Sequence, residues 1–175
     1  MSAPNILVIK HGALGDIILA TAASKAIREE HPQAHIVLLT TKGYAELMAQ
    51  TPYFNEIWVD SKPKPFQREA IKRLRTMLNS YRWEWVYDLQ ASSRTTFYQW
   101  LLKRPWPSIS NASRWSSHPR PHYNVKQHAL ANLSDQLAVA GLTIGKPDIA
   151  WLKGDVSLFA LPKYYVLIVP GGAAH

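Results

Sequence analysis

The chain has 175 residues, 47% of them hydrophobic and 18% charged, enough apolar material for one packed domain and too much for a disordered chain. It contains no cysteine, which excludes a disulfide framework, thiolate catalysis and metal centres built on Cys ligands. Twenty Lys and Arg against twelve Asp and Glu leave a formal charge of +8, so the expected partner is an anion such as nucleic acid, phosphorylated lipid or acidic sugar.

Asn5 to Lys10 is a short β-branched apolar run, followed by Gly12 and Gly15 and then by a helical pattern from Asp16. This reads as strand, turn and helix. No basic leader precedes Ile6 to Ile9 and Lys10 follows at once, so the run is a strand rather than a signal peptide. In the helix Leu19, Ala23, Ala26 and Ile27 recur at three-to-four spacing, and the segment stops at His31-Pro32 because a residue before proline resists the α region. His35 to Thr40 reads as a second buried strand, Tyr44 to Gln50 as a helix, and Glu56 to Val59 as a third strand. Gln67 to Ser80 follows as a helix with Ile71, Leu74, Met77 and Leu78 on one face. Trp85 to Leu89 supplies a fourth strand, Thr95 to Leu102 a helix, Pro107 to Ile109 a fifth strand, and Gln127 to Ala140 a helix closed by Gly141.

Strands that alternate with helices, mostly as continuous apolar runs, imply a parallel sheet covered on both faces. The expected class is α/β, a Rossmann-like doubly wound sheet. Periodicity weakens from Leu142 to Pro162, after which Tyr164 to Val169 is a new buried-strand run entering Pro170-Gly171-Gly172. Residues 1–160 are therefore expected to form one domain and residues 161–175 to begin a second, truncated one. No stretch reaches the ~18 apolar residues that span a bilayer, so a soluble or at most membrane-apposed chain with a cytoplasmic address is expected.

The charge is not spread evenly. Residues 1–60 carry a net −2 and residues 127–175 a net 0, whereas residues 61–126 hold thirteen Lys and Arg against Glu69, Glu84 and Asp88. Aromatic residues are interleaved there, as a surface that stacks on sugars or bases requires. Solvated helix faces are the plainer reading of the same residues.

The constellation with most chemical content is Lys10-His11-Gly12-Ala13-Leu14-Gly15-Asp16, at the carboxyl end of the first strand, where open α/β sheets bind ligands. It is neither G-x-G-x-x-G nor a P-loop, which disfavours a dinucleotide or Walker-type cradle. Asp16 either caps the helix or points into the crevice as a base, and its type and place alone favour the cap. Gly12 and Gly15 read as turn residues of positive φ or as gaps through which a substrate approaches the backbone. Lys10 either meets an anionic ligand or ends the strand with its amine in water, the second slightly favoured. The segment from Asp88 to Arg94, with Gln90, Ser92 and Arg94, ends the fourth strand at the same sheet edge. There it either faces the same crevice or uses a serine to cap the next helix. His118, His122 and His128 sit near Arg120 and Lys126, but their spacing fits no metal motif, and no metal site is expected.

These residues resemble the family 9 glycosyltransferases, the ADP-heptose:lipopolysaccharide heptosyltransferases. The opening ILVIKHGALGDIILATAASKAIREEHPQAHIVLLT is similar to their first strand, G-D loop, helix and second strand. Further matches are Pro52 to Ile57, Tyr87-Asp88-Leu89-Gln90, the His128 helix and the VPGGAA turn at 169–174. The resemblance implies the N-terminal, acceptor-binding half of a GT-B enzyme, ending where the donor-binding half begins and so unable to complete catalysis alone. It implies Asp16 as the base that deprotonates an acceptor hydroxyl, which then attacks an ADP-activated heptose with inversion and without an obligatory metal. It further implies acceptor contacts from Lys10, Gly12, Gly15, Gln90, Ser92, Arg94, Arg120 and His128, and donor contacts from Gly171 and Gly172. The implied partners are a sugar nucleotide and the anionic lipopolysaccharide inner core, with peripheral contact at the inner membrane. Ser61 to Arg82 and the Trp- and Pro-rich Arg104 to Pro121 match no motif of the family. The competing expectations are a nucleotide-binding Rossmann-like enzyme without sugar transfer and a nucleic-acid module. The latter lacks a helix-turn-helix, a ribonucleoprotein aromatic motif or a G-x-x-G clamp, so no nucleic-acid partner is expected.

Overall fold

In a parallel sheet buried on both faces, each strand feeds one hydrophobic layer with its odd positions and the other with its even positions. The first strand, β1 (Asn5–Ile9), does this: Ile6 and Val8 join one core cluster and Leu7 and Ile9 the other. β2 (His35–Thr40) repeats the division, with Ile36 and Leu38 on the first side and Val37 and Leu39 on the second. The computed structural model, which describes residues 3–152, 154 and 157–166, completes the sheet with β3 (Glu56–Val59), β4 (Trp83–Asp88), β5 (Ser108–Asn111) and β6 (His118–Pro119). All pairs are parallel and the order is β3-β2-β1-β4-β5-β6.

That order reverses direction between β1 and β4, the switch point at which doubly wound sheets open a crevice beyond the carboxyl ends of their strands. β1 pairs Ile9 with Leu39 of β2 and with Asp88 of β4, so the residues after Ile9 and after Asp88 leave the sheet side by side. α1 (Leu14–Glu30) covers the Ile6/Val8 face through Ile17, Ala20, Ala23 and Ile27, its alanines allowing close approach. α2 (Lys42–Met48) adds Met48 to the same layer, and α5 (Ala129–Val139) adds Leu133 and Leu137. The other face is covered by α3 (Arg68–Leu78), through Leu74 and Leu78, and by α4 (Ser93–Tyr98), through Tyr98, with a short 3-10 turn at Gln99–Leu101.

Three local expectations are corrected. Gly15 is not a turn residue: it lies inside the first turn of α1, which begins two residues before Asp16, and of the two glycines Gly12 alone has positive φ, at 98°. One glycine in a helix costs only about 1 kcal/mol relative to alanine, and the packing of α1 on the sheet outweighs it. β6 was not anticipated; its two residues pair with Ser110 and Asn111 inside the Trp- and Pro-rich segment. Tyr164 to Val166 are exposed and form no strand, since no described strand lies beside them to complete a ladder. The remainder of that run, with Gly171, Gly172 and the turn at 169–174, lies outside the described residues.

Candidate functional site

The crevice is assembled by two loops that hold each other. Lys10 N donates to Leu39 O at 3.1 Å, His11 N donates to Gln90 Oε1 at 3.1 Å, and Gln90 N returns a bond to Ile9 O at 3.0 Å. The chain then reverses at Gly12, where a Cβ would overlap the ring of Tyr44, so glycine is required by both φ and space. Ala13 occupies the N-cap of α1 and offers no side-chain acceptor. The cap reading of Asp16 is thereby overturned: the helix starts too early for it, and Asp16 sits at the third helical position. Half-buried, it accepts no hydrogen bond from a described residue.

Asp16 instead lines a cavity of about 210 Å³ together with Lys10, Gln90, Arg120, Tyr123 and Gln136. Lys10 does not end its strand in open water, because α5 and the loop after β4 enclose it and leave it 8% exposed. Burial lowers its ammonium below the usual lysine value, partly opposed by the negative charges of Asp16 and Asp88. It forms no ion pair among the described residues. Arg120, which also lines the cavity, places its guanidinium 5.2 Å from the centre of the Tyr123 ring. The cavity thus offers two cations, one open carboxylate and amide groups, a set suited to a hydroxylated anion.

Asp88 lies below this floor rather than in it. Its Oδ1 accepts from Gln90 N at 3.2 Å and Ala91 N at 2.8 Å, shaping the turn that carries Gln90 into the cavity. Complete burial pushes its carboxyl up to about 6, against those backbone bonds, the Thr95 side chain and the His11 charge.

The other predicted residues separate. Ser92 is the N-cap of α4, its Oγ accepting from Thr95 N at 3.2 Å in a reciprocal capping box. Arg94 emerges on the opposite face of the sheet, where it donates to Pro63 O at 2.8 Å. His128 caps α5, its Nδ1 accepting from Leu130 N at 3.2 Å, and is exposed rather than in the cavity wall. The sequence reading did not single out Gln136, whose Nε2 donates to Asp88 O at 3.0 Å and Ser110 O at 3.3 Å. With its nitrogen fixed on two carbonyls, its Oε1 turns away from them as an acceptor on the cavity side. An amide in register with Leu133 on the buried face of α5 was the available signal.

Behind the loop a second carboxylate is fully engaged. Asp60 Oδ2 lies 2.9 Å from His11 Nε2 and accepts from Tyr98 OH at 2.6 Å, while Oδ1 accepts from Lys62 N at 2.7 Å. Burial raises the Asp60 carboxyl, but the bonds from His11, Tyr98 and Lys62 together outweigh it and hold the group below its ordinary value. The effect is to anchor His11, and with it the strand exit that presents Lys10. Among the described residues no cluster of His, Asp and Glu is arranged to hold a metal ion, and no helix is long and apolar enough to cross a membrane.

No family model matches the chain, and no curated protein matches it in sequence. Its fold does match solved structures. "E. coli heptosyltransferase WaaC with ADP-2-deoxy-2-fluoro heptose" superposes with a TM-score of 0.65 at 13% identity, over 84% of this chain and 52% of that one. The glycosyl transferase family 9 protein from Veillonella parvula DSM 2008 gives 0.67 at 20% identity, over 82% of this chain and 43% of that one. E. coli ADP-heptose lps heptosyltransferase II gives 0.62 at 17% identity, over 91% and 51%. The chain has the Rossmann-like fold of one half of such GT-B structures and spans about half their length.

Proposed function

We propose that this chain is the acceptor-binding half of a glycosyltransferase that moves a heptose or related sugar from an ADP-sugar to the anionic inner core of lipopolysaccharide. The observation that carries the reading is Asp16. It is a carboxylate with no hydrogen bond or ion pair among the described residues, lining the switch-point crevice together with the buried Lys10 and with Arg120, on a fold shared with heptosyltransferases. In support, the structures that match include one with ADP and one with an ADP-heptose analogue.

In the proposed reaction Lys10 and Arg120 receive the negative charge of the acceptor, and Gln90 and Gln136 orient its hydroxyls. The Asp16 carboxylate takes the proton of one hydroxyl as its oxygen bonds to the anomeric carbon of the donor. The bond from that carbon to the diphosphate breaks, ADP leaves with the electron pair, and the configuration inverts. Such proton removal contributes about 10²- to 10⁴-fold, so positioning of the donor must supply much of the remainder. No metal is required in this scheme. The donor groups, Gly171 and Gly172 among them, belong to the half that follows, and the reaction is set in the cytoplasm at the inner membrane.

The test is transfer of labelled heptose from ADP-heptose to a deeply truncated lipopolysaccharide by the protein carrying both halves. Transfer is expected there, and acceptor binding without turnover in the 175-residue chain alone. No transfer with any sugar nucleotide would refute the proposal.

A further inference from the structure

One part of the crevice lining is neither strand nor helix. Arg120 to Gln127 connects β6 to α5 without an apolar repeat, yet it brings Arg120 and Tyr123 to the cavity that Lys10 and Asp16 also line. A free loop would lose conformational entropy each time a ligand ordered it, but this one is fixed at both ends. At the first, Pro119 pairs with Asn111 in the sheet and Arg120 N donates to Asn111 O at 2.7 Å. At the second, Asn132 of α5 grips the backbone of Asn124. Its Oδ1 accepts from Asn124 N at 3.0 Å and its Nδ2 donates to Asn124 O at 3.1 Å. Gln127 O at 3.3 Å and His128 O at 3.4 Å share the same two amide hydrogens.

An asparagine on the buried side of a helix is unfavourable unless its amide is bonded. Asn132 is buried on the same side of α5 as Leu133, Gln136 and Leu137, and its amide is taken up by the loop. Although it lines the cavity, what it holds is Asn124, and Asn124 directly follows Tyr123. Tyr123 is 43% exposed and belongs to neither core cluster. The Arg120 guanidinium lies over its ring, and Tyr123 makes no hydrogen bond and no other ring contact among the described residues. An aromatic face backed by a cation, in a cavity of cations, a carboxylate and amides, matches a ligand with an apolar face and a polar rim. A sugar ring has that form, with C–H bonds on one face and hydroxyls and acidic groups around its edge.

We propose that Tyr123 is the ring on which the acceptor sugar stacks, a specificity-determining residue, and that Asn132 is a positioning residue acting through it. The inference rests on the glycosyltransferase reading of the crevice and adds the contact that selects a sugar ring from other anions. Lys10 and Arg120 attract any small anion, and Gln90 and Gln136 bond any hydroxyl, whereas Tyr123 discriminates by shape. With both ends of its loop fixed, the ring is in place before the acceptor arrives, so binding loses less entropy. The Tyr123 hydroxyl has no part in the contact, because stacking uses the ring face.

The experiment measures binding of deeply truncated lipopolysaccharide in detergent micelles to the 175-residue chain, and acceptor KM and kcat in the two-half protein, with thermal melts on every variant. Tyr123→Ser should weaken acceptor binding about tenfold, and Tyr123→Phe should restore it. Asn132→Ala should raise the acceptor KM by a similar factor, with kcat and the donor KM within about twofold of the parent. Tyr123→Ser with Asn132→Ala should bind within about twofold of Tyr123→Ser alone, as expected when one residue acts through the other. His122→Ala, at an exposed neighbour outside the cavity lining, should match the parent. Tyr123 is exposed, so its variants test the stacking role whatever Asn132→Ala does to the melt. Parental binding in Tyr123→Ser, or an equal loss in Tyr123→Phe, would overturn the stacking role, and additive losses in the double variant would overturn the positioning role. Neither result touches the glycosyltransferase reading, which fails instead if the parent binds no acceptor, and the inference then falls with it.

Discussion

The two faces of the sheet share one carboxyl edge and treat their carboxylates in opposite ways. On the α3/α4 face Asp60 has three partners, His11, Tyr98 and Lys62 N, and is 4% exposed. On the α1/α5 face Asp16 has none among the described residues and opens onto a polar cavity beside a buried lysine. A carboxylate whose acceptor sites are filled by the protein is part of the fold. One whose sites are empty, at the place where α/β sheets bind ligands, is available to a substrate. The contrast gives Asp60 a part in the fold and is the ground for the base role proposed for Asp16.

The largest effect that sharpens this contrast is the loss of Asp60. Asp60→Ala strands His11 and Tyr98 without their partner and should cost about 3–5 kcal/mol in urea unfolding. An effect below about 1 kcal/mol would mean that the network is not structural. Asp88 behaves oppositely. Its folded carboxyl holds the proton more tightly than the unfolded one, so its contribution is full below the ordinary value of 3.8 and lost as pH rises through about 6. Asp88→Asn keeps the Oδ1 acceptor for Gln90 and Ala91, and should therefore exceed the parent in stability at pH 8 by up to about 3 kcal/mol. The gap should close near pH 4. For Asp60 the sign reverses: its folded value is lowered, so its contribution is present above 3.8 and lost as pH falls through that lower value.

The glycines give a smaller test. Gly12→Ala meets positive φ and the Tyr44 ring, and should cost about 1–3 kcal/mol. Gly15→Ala has open space in a helix and should be neutral or gain up to about 1 kcal/mol. Equal costs at the two positions would contradict the early helix start. Smallest of all, Asp16→Asn removes only a charge from the first turn of α1 and should change stability by less than about 1 kcal/mol.

The sheet was legible in the sequence because strands buried on both faces are continuous apolar runs, and β2 and β3 fall on the expected residues. The site was legible only in part, and the reason is geometric. Lys10, Asp16 and Gln90 converge because β1 and β4 are neighbours; the alternation of strands and helices puts both strand ends at one edge of the sheet but does not fix their order. Arg94 follows Gln90 by four residues, yet α4 begins between them and carries it to the other face. Ser92 and His128 are spent on helix caps, a use that residue type alone does not separate from ligand contact. Gln136 was hidden within a helix, Gln127 to Ala140, of which only the span and the closing Gly141 were read. β6, two residues long, has no periodicity to detect.

The central claim is that Asp16, and not a better-partnered acid, performs the chemistry. Its direct test is heptose transfer from ADP-heptose to truncated lipopolysaccharide by the parent and the Asp16→Asn variant of the two-half protein, with thermal melts and acceptor affinity measured on the same samples. The account predicts that kcat falls by about 10²- to 10⁴-fold while the melting temperature and acceptor affinity are retained. Transfer at the parental rate in the variant, or a loss that merely follows unfolding, would contradict it.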